Sequence, residues 1–373
     1  MQSTLARAAA AILLLSLAFA VSAQDVSKDF IKTYRAYNQA YRQGDMERAE
    51  TLAKKTLEIA VKELGPNHEK IPVLLINLGH VELLRGKYDD AEKYLGEARK
   101  KIKPGQKDSE SSLLTIHEDM ARIYASKKEL DKARDEIKEA IAERSKSHGA
   151  DDPVVAQLLS MQAQLDIADQ KYDSAEKLMD QGKQIVEKKF GKDDNRVAQF
   201  LAMQGDLAVV EKKMKKAEGL YLKAMAILKK NLVADDPNIL ALHRKLANLY
   251  IAMGSDKFAS HADTYIANAE LRNGAALPMF IIKPKLPAGS KSDGGWVLLN
   301  MTVNRAGRVK DLKVIESSVS SKVDQAVLSA AAKWRFKPRI EKGKREVQAN
   351  TRARVVFRNG KVEVHLGEMG STG

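Results

Sequence analysis

A fixed period of 42 residues runs through most of the chain and restricts its fold more than any other feature. The period is marked by an alanine that an acidic residue follows in most copies. The marker alanines are Ala49, Ala91, Ala133, Ala175, Ala217 and Ala259. A unit of this length cannot bury its apolar face alone, so neighbouring units must stack to build a continuous core. We therefore predict a mainly α fold in which residues 24–272 form an α-solenoid of six units.

Two further columns of the repeat indicate a pair of helices in each unit. Five residues before the marker stands the expected helix–helix turn: Gly44, Gly86, Lys128, Gln170, Lys212 and Gly254. Twelve residues before the marker stands a small residue, which lets two helices approach closely: Gly79, Ala121, Ala163, Gly205 and Ala247. Asp152-Pro153 and Asp236-Pro237 share a third column, in which Asp can cap a helix and Pro can take its first position. Twelve helices are expected.

The segment Gly86-Lys87-Tyr88-Asp89-Asp90-Ala91-Glu92 resembles the turn and second helix of a tetratricopeptide repeat. The 42-residue period matches the longer variant of that repeat, as in the light chain of kinesin. The first and last units depart from the pattern at Tyr37 and Asp256, as capping units would. The resemblance implies that proteins or peptides bind in the groove of the solenoid. The alternative is an array that serves only as a scaffold or spacer.

After the repeats, the sequence changes from helical to alternating patterning. Apolar side chains alternate from Val297 to Val303, which predicts a half-buried strand. A turn around Gly307, a second strand to about Glu316, an Ala-rich helix over 324–334 and a last strand over 349–357 follow. This order predicts a small α+β (ββαβ) domain over residues 295–366, which proline and glycine residues at 273–294 connect to the repeats as a linker.

Three separated motifs of this domain resemble the C-terminal domain of the TonB energy-transducer family in order and spacing. They are Ser317-Ser318, Asp324-Gln325-Ala326-Val327-Leu328 and Trp334-Arg335-Phe336-Lys337-Pro338. The resemblance covers about residues 278–358 and implies contact with outer-membrane TonB-dependent receptors by strand addition to a sheet edge. The edge is expected around Thr351 to Arg358. The candidate partner-binding residues are Arg352, Arg354, Val355, Val356, Phe357 and Arg358.

A hairpin is predicted beyond this strand. Asn359-Gly360 suits the positive φ angles of a type I′ turn, and Val362, Val364 and Leu366 alternate with polar residues. Residues 361–366 should therefore fold back on residues 353–358 and cover part of the expected edge. The exposed edge would then be the new strand, and residues 367–373 are expected to be a disordered tail.

Residues 1–23 have the pattern of a signal peptide. Arg7 precedes an apolar run from Ala8 to Val21, and Val21-Ser22-Ala23 offers a cleavage site. The run is shorter than the roughly 20 residues that span a membrane. We expect cleavage before Gln24 and a periplasmic protein. The alternative is an uncleaved segment that anchors the chain to the inner membrane.

Positive charge is concentrated near the C-terminus. The whole chain has a net charge of +14, and residues 277–373 contribute +11 of it, from 19 Lys or Arg against 8 Asp or Glu. This excess favours an acidic partner, which could be a protein surface, anionic lipid headgroups or a cell-wall polymer. The alternative is a solvated face without a ligand. Nucleic acid is not expected as a partner, because an exported chain rarely meets it.

The sequence offers one match to a catalytic motif, Ser174-x-x-Lys177, which lies inside a repeat helix and is attributed to chance. The chain has no Cys, which excludes disulfides, thiolate metal sites and a Cys nucleophile. The seven His are scattered, and no two stand at a metal-ligand spacing. We expect no catalytic, cofactor-binding or metal-binding residues, and therefore no enzyme.

Together these patterns predict a periplasmic interaction protein of a Gram-negative envelope. The leading interpretation is a divergent or accessory TonB-like energy transducer in outer-membrane transport. The alternative is a structural envelope adaptor or scaffold with no role in energy transduction.

Overall fold

A computed structural model describes residues 26–366 except 104, 106–107, 269–275 and 291. The expected signal peptide at 1–23 and tail at 367–373 lie outside the described residues. The chain forms two compact units, which divide between Lys189 and Phe190.

The described part of the first unit is helical. Its helices are α1 (Lys28–Gln43), α2 (Met46–Leu64), α3 (Ile71–Leu84), α4 (Tyr88–Lys101), α5 (Ser109–Ser126), α6 (Leu130–His148), α7 (Pro153–Ala168) and α8 (Tyr172–Phe190). The second unit continues the pattern with α9 (Asn195–Val210), α10 (Met214–Asn231), α11 (Pro237–Ala252) and α12 (Phe258–Ala267). Each odd-numbered helix of this series, the A helix of a repeat, is followed by a B helix after a short turn, which is the tetratricopeptide arrangement.

The turn column has one backbone conformation in all six repeats. The φ angles are 75° at Gly44, 76° at Gly86, 65° at Lys128, 61° at Gln170, 60° at Lys212 and 66° at Gly254. This left-handed conformation ends each A helix, and the next backbone N–H reaches back to its last turn, as Asp45 N does to Ala40 O at 3.0 Å. Since only glycine adopts it without a steric penalty, the three other residues are held there by the helices they join.

The marker alanines recur every 42 residues because, in five of the six repeats, each occupies the same buried position of a B helix. Five of them, from Ala49 to Ala217, are fully buried, and each lies three residues after the start of its B helix. The sixth repeat departs from this rule, because α12 begins at Phe258, two residues late. Asp256, where the other repeats have an apolar residue, stays exposed, and Phe258 is buried instead. The later start of α12 leaves the Asp256 carboxylate in water, where an ionised group is most stable.

The residue after the marker contacts the next repeat. Glu92 accepts hydrogen bonds from Lys127 Nζ at 2.6 Å and from the Tyr124 hydroxyl at 3.2 Å. In the following repeat the polarity is reversed, because Arg134 donates to Asp166 at 3.0 Å and also bonds Asp169. The residue after the marker is therefore acidic in most repeats because it pairs with a basic residue of the next repeat. Where the next repeat offers an acid instead, the residue is basic.

The small domain lies in the second unit. Its strands are β1 (Leu277–Phe280), β2 (Trp296–Val303), β3 (Val309–Ser317), β4 (Arg335–Lys337), β5 (Arg339–Glu341), β6 (Lys344–Glu346), β7 (Gln348–Arg358) and β8 (Lys361–Leu366), with α13 (Ser321–Ala331) after β3. The main sheet has the order β3-β2-β7-β8 and is antiparallel, while β1 pairs with β4 and β5 with β6. The predicted strand–strand–helix–strand order is thus present, with additional short strands and β8.

The core of this domain lies between α13 and one face of the main sheet. Trp334 and Phe336 are fully buried, and Trp334 Nε1 donates to Ile282 O at 2.9 Å. The expectation of a linker at 273–294 needs correction in its described part. Leu277–Phe280 is a strand of the domain that pairs with β4. Burial of the Phe280 side chain stabilises this strand, whereas Leu277 at its start stays exposed.

The small domain is bonded to the last repeat. Asp263 of α12 accepts hydrogen bonds from Arg308 and Arg335, both at 2.8 Å. Arg345 donates to the carbonyl oxygens of Ile266 and Ala267 at the C-terminal end of α12. A cation at this position satisfies carbonyls that the helix leaves without a partner.

No helix within the described ranges is both long and apolar enough to cross a membrane.

Candidate functional site

The strand that carries the candidate partner-binding residues is an interior strand. β2 pairs along one side of β7, with Asn300 opposite Arg352, and β8 pairs along the other, with Val355 opposite Val364. Asn359 and Gly360 form the predicted turn, with φ angles of 53° and 69°. The hairpin is therefore present. As the predicted hairpin implies, β8 covers residues 353–358 of the edge expected around Thr351 to Arg358.

The six candidate residues divide between the two faces of the sheet. The side chains of Val355 and Phe357 are buried in the core beneath α13, so they cannot contact a partner in this conformation. Arg352, Arg354, Val356 and Arg358 point to the opposite face, as the alternation along a strand requires. Sequence reasoning selected residues from both faces of one strand, whereas each face of a sheet presents only every second side chain.

β8 offers a regular outer edge. Its pairing with β7 runs from Arg358–Lys361 to Ala353–Leu366 without a register shift. Because a two-residue turn makes Arg358 and Lys361 the first hydrogen-bonded pair, the N–H and C=O groups of Val362, Val364 and Leu366 face outward. These groups have no strand partner among the described residues.

The opposite edge of the sheet is less suited to pairing. β3 shows two register shifts against β2, and Asp311 within β3 has a φ angle of 49°. Bulges of this kind twist an edge and interrupt its hydrogen-bonding groups. The geometry therefore favours β8 over β3 as the edge that can accept a strand.

A second candidate surface lies on the A helices of the first unit. His80 in α3 joins the helices on either side, with Nδ1 at 2.6 Å from Asp119 of α5 and Nε2 at 3.0 Å from the Tyr41 hydroxyl of α1. Because an ionised Asp only accepts, Nδ1–H donates to it, and Nε2 accepts from the tyrosine. Burial raises the pKa values of Tyr34 and Tyr41, so both hydroxyls remain protonated donors.

The histidines are less scattered than the sequence indicated. His243 of α11 and His261 of α12 face each other with their Nδ1 atoms 3.0 Å apart. Burial lowers the pKa of His243 to about 4, and that of His261 is lowered as well. The sequence spacing hid this pair, because its members lie on the A and B helices of one repeat.

A further group contains one histidine and two acids. The ligand atoms of His117, Glu136 and Glu139 lie within 4.8 Å of one another, a spacing that could hold a metal ion. Glu136, however, also accepts from both terminal nitrogens of Arg99, at 2.5 and 3.2 Å. This guanidinium already neutralises the carboxylate, so the contacts are those of an ion-pair network between repeats. His117 and His243 stand three periods apart, so they occupy the same position of the repeat. This shared position could have indicated from the sequence that both histidines lie inside the helical array.

Comparisons with known proteins agree with both parts of the chain. Residues 288–358 match the family model of the Gram-negative bacterial TonB protein C-terminal domain, and residues 35–101 match that of the tetratricopeptide repeat. Protein TonB of Pseudomonas aeruginosa is 33% identical over 81 residues, which are 21% of this chain and 24% of that protein. The chain thus spans about a quarter of the length of the curated relative it matches.

Solved structures resemble the helical part. The apo form of RapI has a TM-score of 0.50 at 15% identity and covers 64% of this chain and 83% of its own. A putative kinesin light chain repeat protein of Podosopora anserina has a TM-score of 0.47 at 16% identity, covering 54% of this chain and 95% of its own. At these identities the likeness concerns the fold alone. The chain therefore carries a tetratricopeptide-repeat region and, after it, a C-terminal domain of the TonB type.

Proposed function

We propose that this chain is a periplasmic interaction protein and a divergent or accessory TonB-like energy transducer in outer-membrane transport. Tetratricopeptide repeats suggest protein–protein interaction, and a TonB-type domain suggests a transducer-like role in the cell envelope. Both matched families are interaction or transducer domains and not enzymes. The observation that carries the proposal is the regular outer edge of β8 in the TonB-type domain, along which no described strand pairs.

At this edge the partner is an extended segment of an outer-membrane receptor. Its backbone pairs with the outward N–H and C=O groups of Val362, Val364 and Leu366, which makes it a fifth strand of the sheet. Its side chains on one face meet the exposed Lys361, Glu363 and His365. These supply both signs of charge and set the register of the added strand.

The A-helix surface of the first unit binds a second partner, a peptide or a protein segment. Tyr34 and Tyr41 place hydroxyl groups on α1, and His80 of α3 holds the Tyr41 hydroxyl through a hydrogen bond. The hydroxyl oxygens accept hydrogen bonds from the backbone N–H groups of an extended chain. The bonds between α1, α3 and α5 fix the side chains before the ligand arrives, which lowers the entropic cost of binding.

A structural adaptor without energy transduction is the second candidate. The observation that favours it is the attachment of the small domain to α12 through Asp263 and Arg345. A transducer must also receive force through a membrane anchor, whereas a chain cleaved before Gln24 cannot. N-terminal sequencing of the exported protein separates the two: a start at Gln24 favours the adaptor, and an intact Met1 favours the transducer.

Strand addition is tested by removing one outward N–H from β8. Val364→Pro eliminates a donor that the β7–β8 pairing does not use, and proline is tolerated on an edge strand when its nitrogen faces solvent. Val364→Ala removes the same side chain but keeps the N–H, so it is the matched control. Binding of the purified full chain to isolated outer membranes is measured by co-sedimentation.

We expect Val364→Pro to weaken binding at least about tenfold, the equivalent of one lost hydrogen bond. Val364→Ala should bind as the unmodified chain does. Hydrogen exchange should also show slower exchange at residues 362, 364 and 366 in the bound state. Equal binding of the proline and alanine variants contradicts strand addition at β8.

A further inference from the structure

Within the described part of the chain, one face of the main sheet is open. α13 and the core cover the face that contains Val297, Leu299 and Val355. The alternate residues of β2 and β7 point away from this core, with Leu298 opposite Arg354 and Asn300 opposite Arg352. Extended by β3 and β8, this open face is four strands wide, or roughly 15 Å, and follows β7 for roughly 20 Å.

The open face is strongly basic. Directly opposite residues of antiparallel strands share a face, which assigns Lys313 beside Asn300 and Lys361 beside Arg358 to it. Its cations are Lys310, Lys313, Arg352, Arg354, Arg358 and Lys361, and its acids are Glu316 and Glu363. Across the described residues, none of these six cations forms an ion pair. Their charge is therefore available to an external partner.

An aromatic side chain lies within this basic face. The guanidinium of Arg354 sits over the indole of Trp296, with its carbon 4.3 Å from the ring centroid. Arg354 Nε has no hydrogen-bond partner within the described structure. The indole thus holds the guanidinium in place without neutralising it. Tryptophan is also the residue that prefers the interface between lipid and water, where its amphipathic ring lies at headgroup depth.

We propose that this open face docks on an anionic phospholipid bilayer. Clusters of four to eight Lys and Arg are the feature by which protein segments bind anionic lipid surfaces. The six cations lie on a broad sheet and not in a cleft, which matches a planar array of phosphates better than a single acidic side chain. The partner is thus the membrane surface itself, and an acidic protein is the competing outcome.

Lipid docking and strand addition use largely different groups of the same domain and share the side chain of Lys361. Docking uses the outward side chains of β3, β2 and β7 together with Lys361, whereas strand addition uses the outer backbone edge of β8. The proposal therefore goes beyond the function proposed above and does not depend on it. Vesicles of pure lipid contain no receptor, so binding to them reports on docking alone.

The test uses the full chain and two kinds of vesicle, pure phosphatidylcholine and phosphatidylcholine with about one third phosphatidylglycerol. We expect sedimentation with the anionic vesicles only, and release as salt concentration rises. Arg352→Glu/Arg358→Glu should weaken binding at least about tenfold, because it reverses two charges on the open face. Lys342→Glu/Lys344→Glu changes the net charge equally, in the β5–β6 hairpin, and should bind within about twofold of the unmodified chain.

Tryptophan fluorescence gives a second measurement that needs no substitution. The chain has two tryptophans, and Trp334 is fully buried, so a vesicle-dependent blue shift reports on Trp296. Matched circular dichroism spectra of both variants establish that they are folded. Equal losses in the two charge-reversed variants, equal binding to neutral vesicles, or binding to polyglutamate but not to anionic vesicles overturns the proposal.

Discussion

The repeat helices and the small domain are stabilised by contacts of opposite range. In the repeats, Gly205 of α9 packs on Tyr221 of α10, a short distance away along the chain. In the small domain, Asn300 of β2 pairs with Arg352 of β7, across most of the domain's sequence. A stacked repeat can therefore open locally, whereas the sheet must gain or lose its strands together. A substitution in a repeat should therefore speed hydrogen exchange only nearby, whereas a similar substitution in the sheet should speed it across several strands.

The largest expected effect is in the sheet region. Gly307 has a φ angle of 75°, and a Cβ there would lie 1.9 Å from the Phe336 carbonyl oxygen. Gly307→Ala should lower the free energy of unfolding by at least about 3 kcal/mol, since both backbone strain and overlap oppose it. Hydrogen exchange should accelerate together in β2, β3 and β7.

The control for this substitution is Gly343→Ala. Gly343 has a φ angle of 74°, but a Cβ there would meet nothing within 4 Å. Only the cost of the positive φ remains, which is about 1 kcal/mol. Faster exchange confined to residues near 307 would show that the sheet opens piecewise and would break the comparison.

A smaller and more local effect is expected in the repeats. A Cβ on Gly205 would lie 2.5 Å from Cε1 of Tyr221, whose hydroxyl is fixed by a hydrogen bond to Asp206. Gly205→Ala should destabilise by about 1–3 kcal/mol. Gly219→Ala, on the exposed side of α10 with nothing within 4 Å, should instead stabilise by about 0.5–1 kcal/mol. Chemical denaturation measures the change in the free energy of unfolding for both substitutions, and hydrogen exchange locates it. If Gly205→Ala and Gly219→Ala both stabilise or both destabilise the chain, Gly205 is not closely packed.

The smallest effect concerns pH. The pKa of His243 falls to about 4 in the folded chain from an ordinary value near 6.5. The unfolded chain therefore binds more protons between these values, and stability should decrease as pH falls from about 6.5 to about 4. The partner His261 is partly exposed, and solvent screens its interaction with His243. We therefore expect the free energy of unfolding to fall by about 1–2 kcal/mol over this pH range, less than the full pKa shift implies.

The matched variant for the pH effect is His243→Gln, which cannot gain a proton. Thermal melts at pH 7 and pH 4.5 should show a smaller difference for this variant than for the unmodified chain. Identical pH dependence would assign the effect to other groups.

Sequence reasoning was most successful where contacts are local. The 42-residue period located the six left-handed turns, from Gly44 to Gly254, because each turn depends on its immediate neighbours. The Asn359-Gly360 hairpin was predictable for the same reason. The late start of α12 was missed, since it depends on the burial of Phe258 and the exposure of Asp256.

The candidate site was harder to predict, because strand neighbours are set by distant residues. The alternation of β7 was visible in the sequence, but its interior position depends on both β2 and β8. Val355 and Phe357 were selected for binding although they are core residues, because the strand was chosen for its expected edge without separating its two faces. The stacking of Arg354 on Trp296 was equally inaccessible, because it joins residues of two strands far apart in the chain.

Asp263 belongs to a repeat helix, yet both arginines that it bonds belong to the small domain. Its helix therefore cannot leave its place without breaking contacts of the sheet region. In terms of thermodynamic linkage, a ligand that binds the small domain more tightly while Asp263 is bonded also raises the free energy needed to open α12. For such a ligand, the amides of α12 report occupancy at a surface they do not touch.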